Sequence, residues 1–169
     1  MKSVLSIRII EKEIEMRITT AVTLLSLILL ISLAGINFAV AAPKAIKWYT
    51  YTDGLAAAAQ QNKKIMIIFS ASWCGFCKKM NKETFANKAV MDYIDENIIP
   101  VKVDAEAEKK LVSQYAISAL PSHVFLSETG ESLGTLTGYI EATKFLSVLK
   151  HINGNDNNPL SLENFFKSL

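Results

Sequence analysis

The chain contains two cysteines, Cys74 and Cys77, both within "SASWCGFCKK" (Ser70 to Lys79). Thiols at this spacing can ligate a metal, staple a loop or exchange electrons through a reversible disulfide. A zinc site needs four ligands, and the only other soft donors are His123 and His151, neither at a finger-like spacing. No metal is expected. A staple across so short a loop removes little chain entropy. Electron exchange fits the local pattern better. Cys74 falls at the start of a helix, where unpaired N–H groups and the dipole favour an anion and so populate the nucleophilic thiolate. Cys77 follows one turn later, placed to resolve a mixed disulfide formed at Cys74. Trp73 and Phe76 flank the thiol as an apolar platform for an extended client.

The elements that must position this pair follow from the periodicity. "KIMIIFS" (Lys64 to Ser70) is a continuous apolar run of strand length, as expected for a strand buried on both faces. Upstream, "AIKWYTY" (Ala45 to Tyr51) reads as a strand, and Thr52 or Asp53 caps a helix through "GLAAAAQQN". Downstream, Asn87 caps "KAVMDYIDEN", and "IIPVKVD" is a strand. Asp104 is placed to cap "AEAEKKLVSQYA", with Glu106 and Glu108 in its first turn. "SHVFLS" and "SLGTLTGY" form a hairpin across "ETGE", and "EATKFLSVLKHI" is a final amphipathic helix. Strands alternating with helices imply an α/β fold, a central mixed sheet with helices on both faces.

The ends of the chain read differently. Residues 1–41 end in an apolar run, "LLSLILLISLAGINFAVA", with the small-x-small site Ala39-Val40-Ala41. This is the layout of a signal peptide cleaved before Ala42, and translation starting at Met16 would make the layout more usual. The alternative is an uncleaved membrane anchor. A domain spans 42–152, and 153–169 is a polar linker followed by a short amphipathic helix. From Ala42 onward fourteen lysines meet thirteen acids and no arginine. That balance offers no electrostatic case for nucleic acid.

"FSASWCGFCKKM" resembles the W-C-x-x-C-K segment of the thioredoxin superfamily. "YAISALPSHVFL" resembles its cis-proline segment, and "GTLTGY" its later strand ending in glycine. "KETFANKAVMDYIDENIIPVKVDAE" resembles exported members akin to the C-terminal domain of the reductant carrier DsbD. The resemblance implies a thioredoxin-like fold and a thiol–disulfide oxidoreductase with Cys74 attacking and Cys77 resolving, acting as a reductant; the alternatives are a disulfide-donating oxidase and a non-redox, chaperone-like client-binding module. It implies a cis Pro121, with the Leu120 backbone gripping substrate. Trp73, Gly75, Phe76 and Gly138 are the further expected substrate contacts. No cofactor beyond the Cys74–Cys77 disulfide is implied. The partners that the resemblance implies are protein thiols and disulfides, with a membrane-embedded reductant, and the expectation is a monomer that is periplasmic or otherwise exported.

Ile68, Lys82 and the dipeptide Gly75-Phe76, which stands where thioredoxins carry Gly-Pro, depart from the family pattern. Ile68 stands six residues before Cys74, where thioredoxins carry a buried aspartate, and the nearest downstream acid, Glu83, lies off the helical face of Cys77. Lys82 replaces a helix-kinking proline, so the helix should end near Glu83. His123, two residues past Pro121, shares its strand face. It either tunes the thiolate or is an ordinary strand residue with satisfied nitrogens, the latter being the expectation. His151 is placed as a favourable charge at a helix C-terminus.

Overall fold

The computed structural model describes residues 14–26, 45–154 and 159–168. The chain separates into two units, Met1–Ala42 and Pro43–Leu169. In the first, residues 14–26 are helical (α1), with Met16 and Leu25 exposed. Among the described residues no helix is long and apolar enough to cross a membrane. The expected cleavage site at Ala39-Val40-Ala41 lies outside the described residues, as does 155–158 of the expected linker.

The second unit runs α2 (Tyr51–Gln61), β1 (Lys64–Ser70), α3 (Gly75–Glu83), α4 (Lys88–Asn97), β2 (Ile98–Asp104), α5 (Lys109–Gln114), β3 (Ser122–Leu126), β4 (Ser132–Thr137), α6 (Ala142–Gly154) and α7 (Pro159–Ser168). The sheet order is β2-β1-β3-β4. β1 pairs parallel with β2 and antiparallel with β3, and β3 pairs antiparallel with β4.

β1 has an unbroken apolar centre, Ile65 to Phe69, because both of its faces are covered. Met66 and Ile68 pack with Met80 of α3, Val90 and Ile94 of α4, and Phe145, Val148 and Leu149 of α6. Ile65, Ile67 and Phe69 face the other way, towards Ala57 and Ala58 of α2 and Leu111 of α5. Each fully buried Ile, Leu or Phe contributes roughly 1.5–3 kcal/mol, so β1 is the strand this unit can least do without.

Two elements differ from the sequence reading. The segment 45–51 is not a strand. Tyr49 alone bridges β2, donating its N–H to Pro100 O (2.9 Å) while its carbonyl accepts from Lys102 N (3.1 Å). Pro100 has no N–H to continue that ladder, and Thr50 starts the helix earlier than expected by accepting the Asp53 N–H at 3.2 Å. The helix after β2 is also shorter. The Asp104 carboxylate accepts the Glu106 N–H at 2.8 Å, which holds 105–107 as a turn, and α5 starts only at Lys109.

At the other edge, α7 packs on β4 and α6. A methyl group at Gly134 would stand 2.8 Å from Leu162 Cδ2, so the missing side chain makes the notch that receives α7. Phe165 stacks flat on His151 with ring centroids 4.0 Å apart. This stack is where the structure places His151, within α6, which continues through Gly154.

Candidate active site

The fold brings the expected residues to one end of the sheet. β1 ends at Ser70, and a turn closed by Cys74 N–H to Ala71 O (3.2 Å) delivers the chain to α3. Cys74 is the N-cap of that helix, and its Sγ accepts the Cys77 N–H at 3.1 Å. The first turn carries no carboxylate to compete for the dipole. The two sulfurs are joined in a disulfide, S–S 2.10 Å.

Both cysteines are 4% exposed, so burial by itself does not separate an attacking from a resolving sulfur. Their packing partners are Ala71 and Leu120. Trp73 and Phe76 stand out on either side, 66% and 62% exposed, the large apolar side chains that the second unit leaves in solvent among the described residues. Gly75 opens α3 with no heavy atom within 4 Å of a would-be Cβ.

The remaining expected contacts come from the β3 and β4 ends. The Leu120–Pro121 peptide bond is cis. Ser122 anchors this turn by donating its hydroxyl to Ala119 O at 2.7 Å. Gly138 donates its N–H to Pro121 O at 2.8 Å. Its φ of +97° is one that a side chain would strain, although the space beside it is open.

Ile68 is 3% exposed and lies in the layer with Met80, so no carboxylate sits at that position. A buried polar group of this layer is His123, which pairs directly opposite Ile68. The expectation of satisfied nitrogens is only half met. His123 is fully buried, and Nδ1 lies 3.1 Å from Leu136 O. A carbonyl only accepts, so Nδ1 carries the proton and Nε2 turns a lone pair to an apolar core without a partner. Burial pushes the pKa of His123 down to about 4, against a smaller upward effect of the Leu136 bond.

Glu83 is engaged elsewhere. It ends α3 and accepts the Tyr139 hydroxyl at 2.7 Å, while Lys79 sits over the Tyr139 ring. Among the described residues no cluster of His, Cys, Asp or Glu is arranged to hold a metal. Sequence reasoning missed Ala71, which packs on the disulfide, and a cleft bordered by Cys77, Lys78, Lys102 and Asp104. The cleft is assembled from distant segments, and no local signal announces it.

The geometry can be set beside known proteins. Over 100 residues the chain is 32% identical to the thiol:disulfide interchange protein DsbD of Actinobacillus pleuropneumoniae, a match covering 56% of this chain and 17% of that protein. Less than a fifth of that relative is therefore represented. Thioredoxin H1 of Arabidopsis thaliana is 30% identical over 103 residues, which cover 61% of this chain and 86% of the relative. A thioredoxin structure from Thermus thermophilus superposes with a TM-score of 0.59 at 24% identity, covering 64% of this chain and 87% of its own, a likeness of fold. The sequence pattern of the thioredoxin-like domain matches residues 51–153, the unit that holds the disulfide, and the chain belongs to that family.

Proposed function

We propose that this chain is an exported thiol–disulfide oxidoreductase that exchanges the Cys74–Cys77 disulfide with protein substrates, chiefly as a reductant. One observation carries the reading: the disulfide sits at the N-terminus of α3, with Cys74 Sγ held by the Cys77 N–H. A thiolate formed at Cys74 inherits that hydrogen bond and the helix dipole, which lower its pKa. Cys74 attacks a client disulfide, and Cys77, one turn on, displaces the reduced client. Trp73 and Phe76 offer apolar surface to an unfolded or extended client. The cis turn at Leu120 and Pro121, with Gly75 and Gly138, leaves room for client backbone.

The reductive direction is our reading of the resemblance of "KETFANKAVMDYIDENIIPVKVDAE" to reductant carriers, whereas the identity to a thiol:disulfide interchange protein supports exchange in either direction. The electrons then come from a partner dithiol, in our reading a membrane-embedded one. Export rests on the apolar run that ends at Ala41. The mature N-terminus should lie at Ala42 or Pro43 in a periplasmic fraction. Full-length chain in the membrane pellet would replace cleavage with anchoring.

The deciding experiment compares two variants. Cys77→Ser should accumulate mixed disulfides with client proteins through Cys74, because a hydroxyl is too weak a nucleophile to displace them. Cys74→Ser should give few. Equal yields would overturn the assignment of roles. No adducts from either, with suppression of client aggregation retained, would make the chain a client-holding module instead.

A further inference from the structure

Two parts of the client site reach it by separate routes. Cys74 and Cys77 ride on the start of α3, whereas Gly138 belongs to the segment that follows β4. Gly138 cannot place itself: it has a φ of +97° and no heavy atom within 4 Å of a would-be Cβ. Glycine also has the widest backbone freedom of any residue. Its position is therefore set by its neighbours. On one side its N–H bonds Pro121 O at 2.8 Å. On the other, the next two residues are tied to the far end of α3. The Tyr139 hydroxyl donates to Glu83 Oε2 at 2.7 Å, and the Thr84 hydroxyl donates to Ile140 O at 2.7 Å. We propose that these two bonds form a latch that fixes the width of the slot between the disulfide and Gly138. Glu83, Thr84 and Tyr139 are then positioning residues for client recognition. The proposal rests on the oxidoreductase reading and extends it to residues outside the packing partners of the disulfide.

Helix geometry carries the restraint to the cysteines. α3 has nine residues and is about 14 Å long. Hydrogen-bonded along its length, it moves as a rod, so a segment fixed to its last turn is fixed relative to its first. The start of the rod is itself held by the bond from Cys74 N–H to Ala71 O at 3.2 Å. The contacts close a ring through Cys77, Thr84, Ile140, Gly138, Pro121 and Leu120, and Leu120 packs back against the cysteine pair.

The two bonds differ in kind. Thr84 is fully buried, and a buried hydroxyl needs a partner, so the inner bond is an obligatory part of the fold. The outer bond lies in solvent, where a hydrogen bond adds little to stability. The phenol nonetheless has a built seat. Lys79, one turn before Glu83 on the same helix face, stands 4.3 Å from the centre of the Tyr139 ring and 3.9 Å from Glu83 Oε2. Phe76, three residues before Lys79, continues that face to the exposed client platform. An arrangement that adds little stability but orders the surface from Phe76 to Gly138 suits recognition better than folding.

Stopped-flow mixing of the pre-reduced full chain with a disulfide-bonded peptide gives a half-saturating concentration and a limiting rate. Hydroxyethyl disulfide, too small to span the slot, is the control oxidant. Tyr139→Phe and Glu83→Ala should each raise the half-saturating peptide concentration about threefold to fivefold, the size of one exposed hydrogen bond. The limiting rate and the hydroxyethyl disulfide rate should stay within about twofold. Glu83→Gln keeps an acceptor oxygen and should bring peptide binding back to within about twofold of the original. Combining Glu83→Ala with Tyr139→Phe should weaken binding no further than either alone, since both remove the same bond. Thr84→Val removes the buried donor and should raise the half-saturating concentration in the fraction that folds, and Thr84→Ser should restore it. An unchanged half-saturating concentration in Tyr139→Phe and Glu83→Ala would overturn the latch. So would a joint loss of peptide and hydroxyethyl disulfide rates in step with a fall in urea stability, the signature of a merely structural pair. Failure of the unmutated chain to reduce either disulfide would instead refute the oxidoreductase reading.

Discussion

Two helix starts in this molecule perform the same structural task with different atoms. At α4 the amide oxygen of Asn87 accepts the N–H groups of Ala89 and Val90, at 3.0 and 3.3 Å. At α3 the sulfur of Cys74 accepts the N–H of Cys77 at 3.1 Å. Asn87 is exposed and does nothing beyond the cap, whereas Cys74 is 4% exposed and bonded to a second sulfur. The same orphan donors that merely stabilise one helix can stabilise a charge on the other. What separates a cap from a reactive centre is the acceptor's ability to leave and return as an anion.

The sharpest test of that contrast exchanges the acceptor and keeps the cap. Cys74→Asn should fold, because asparagine is a preferred N-cap residue. Its rate of disulfide exchange should fall by on the order of 10³-fold or more, as expected when a nucleophile is removed. The readout is reduction of a protein disulfide by the pre-reduced chain. Residual exchange within tenfold of the original would mean that sulfur at the cap is not the difference that matters.

A second test moves the comparison from α3 to the layer below it. His123 is buried neutral, with a pKa of about 4 against 6.5 when exposed. Between pH 6.5 and 4 the unfolded chain takes up a proton that the folded chain does not. Stability therefore falls as pH drops through that window, by about 3 kcal/mol in full. The groups registered or packed against the ring, Ile68, Leu136 and Phe145, carry no charge to offset this. Urea unfolding at pH 7 and pH 4 should show the loss in the unmutated chain and a flatter profile in His123→Leu. Equal slopes would assign the acid sensitivity to other groups.

These outcomes bear on what a linear reading can and cannot reach. The run Lys64 to Ser70 has an unbroken apolar centre, Ile65 to Phe69, as a strand covered on both faces requires, and its end places Cys74 at a helix start. That much of the site is local, and the CxxC pattern makes it readable. Thr50 was hidden because Thr52 and Asp53 offered equally good caps, and only the pairing of Tyr49 beside Pro100 decides among them. The orphaned Nε2 of His123 needs the register of β3 against β1 and β4. The cleft at Cys77 needs α3, β2 and the segment around Tyr49 to meet in space. Periodicity carries no information about such meetings.

A third test probes the far edge of the sheet, where it should leave the chemistry untouched. Gly134→Ala places a methyl group 2.8 Å from Leu162 Cδ2 at a φ of +139°. The overpacking and the backbone conformation together should cost about 1–3 kcal/mol. Denaturant melts should shift accordingly while exchange rates measured at low denaturant hold within twofold. A matching loss of exchange would tie α7 to the active end of the sheet.

The smallest effect belongs to the ordinary cap and sharpens the comparison from the other side. Asn87→Ala removes the acceptor for two backbone N–H groups at the start of α4. The Ala89 N–H is exposed and the Val90 N–H part-buried, so water replaces the lost bonds only in part, and the cost should be about 1 kcal/mol. α4 contributes Val90 and Ile94 to the core beside Met80 of α3, so a fraying first turn could in principle disturb the helix that carries the disulfide. The core argues against that spread: Val90 and Ile94 are both within 1% of full burial and stay packed when the cap is lost. Stability measured by urea should therefore fall while the exchange rate of Cys74 stays within twofold. A tenfold loss of exchange in Asn87→Ala would show that the two helix starts are mechanically coupled, and that capping α4 is part of how α3 is held in place.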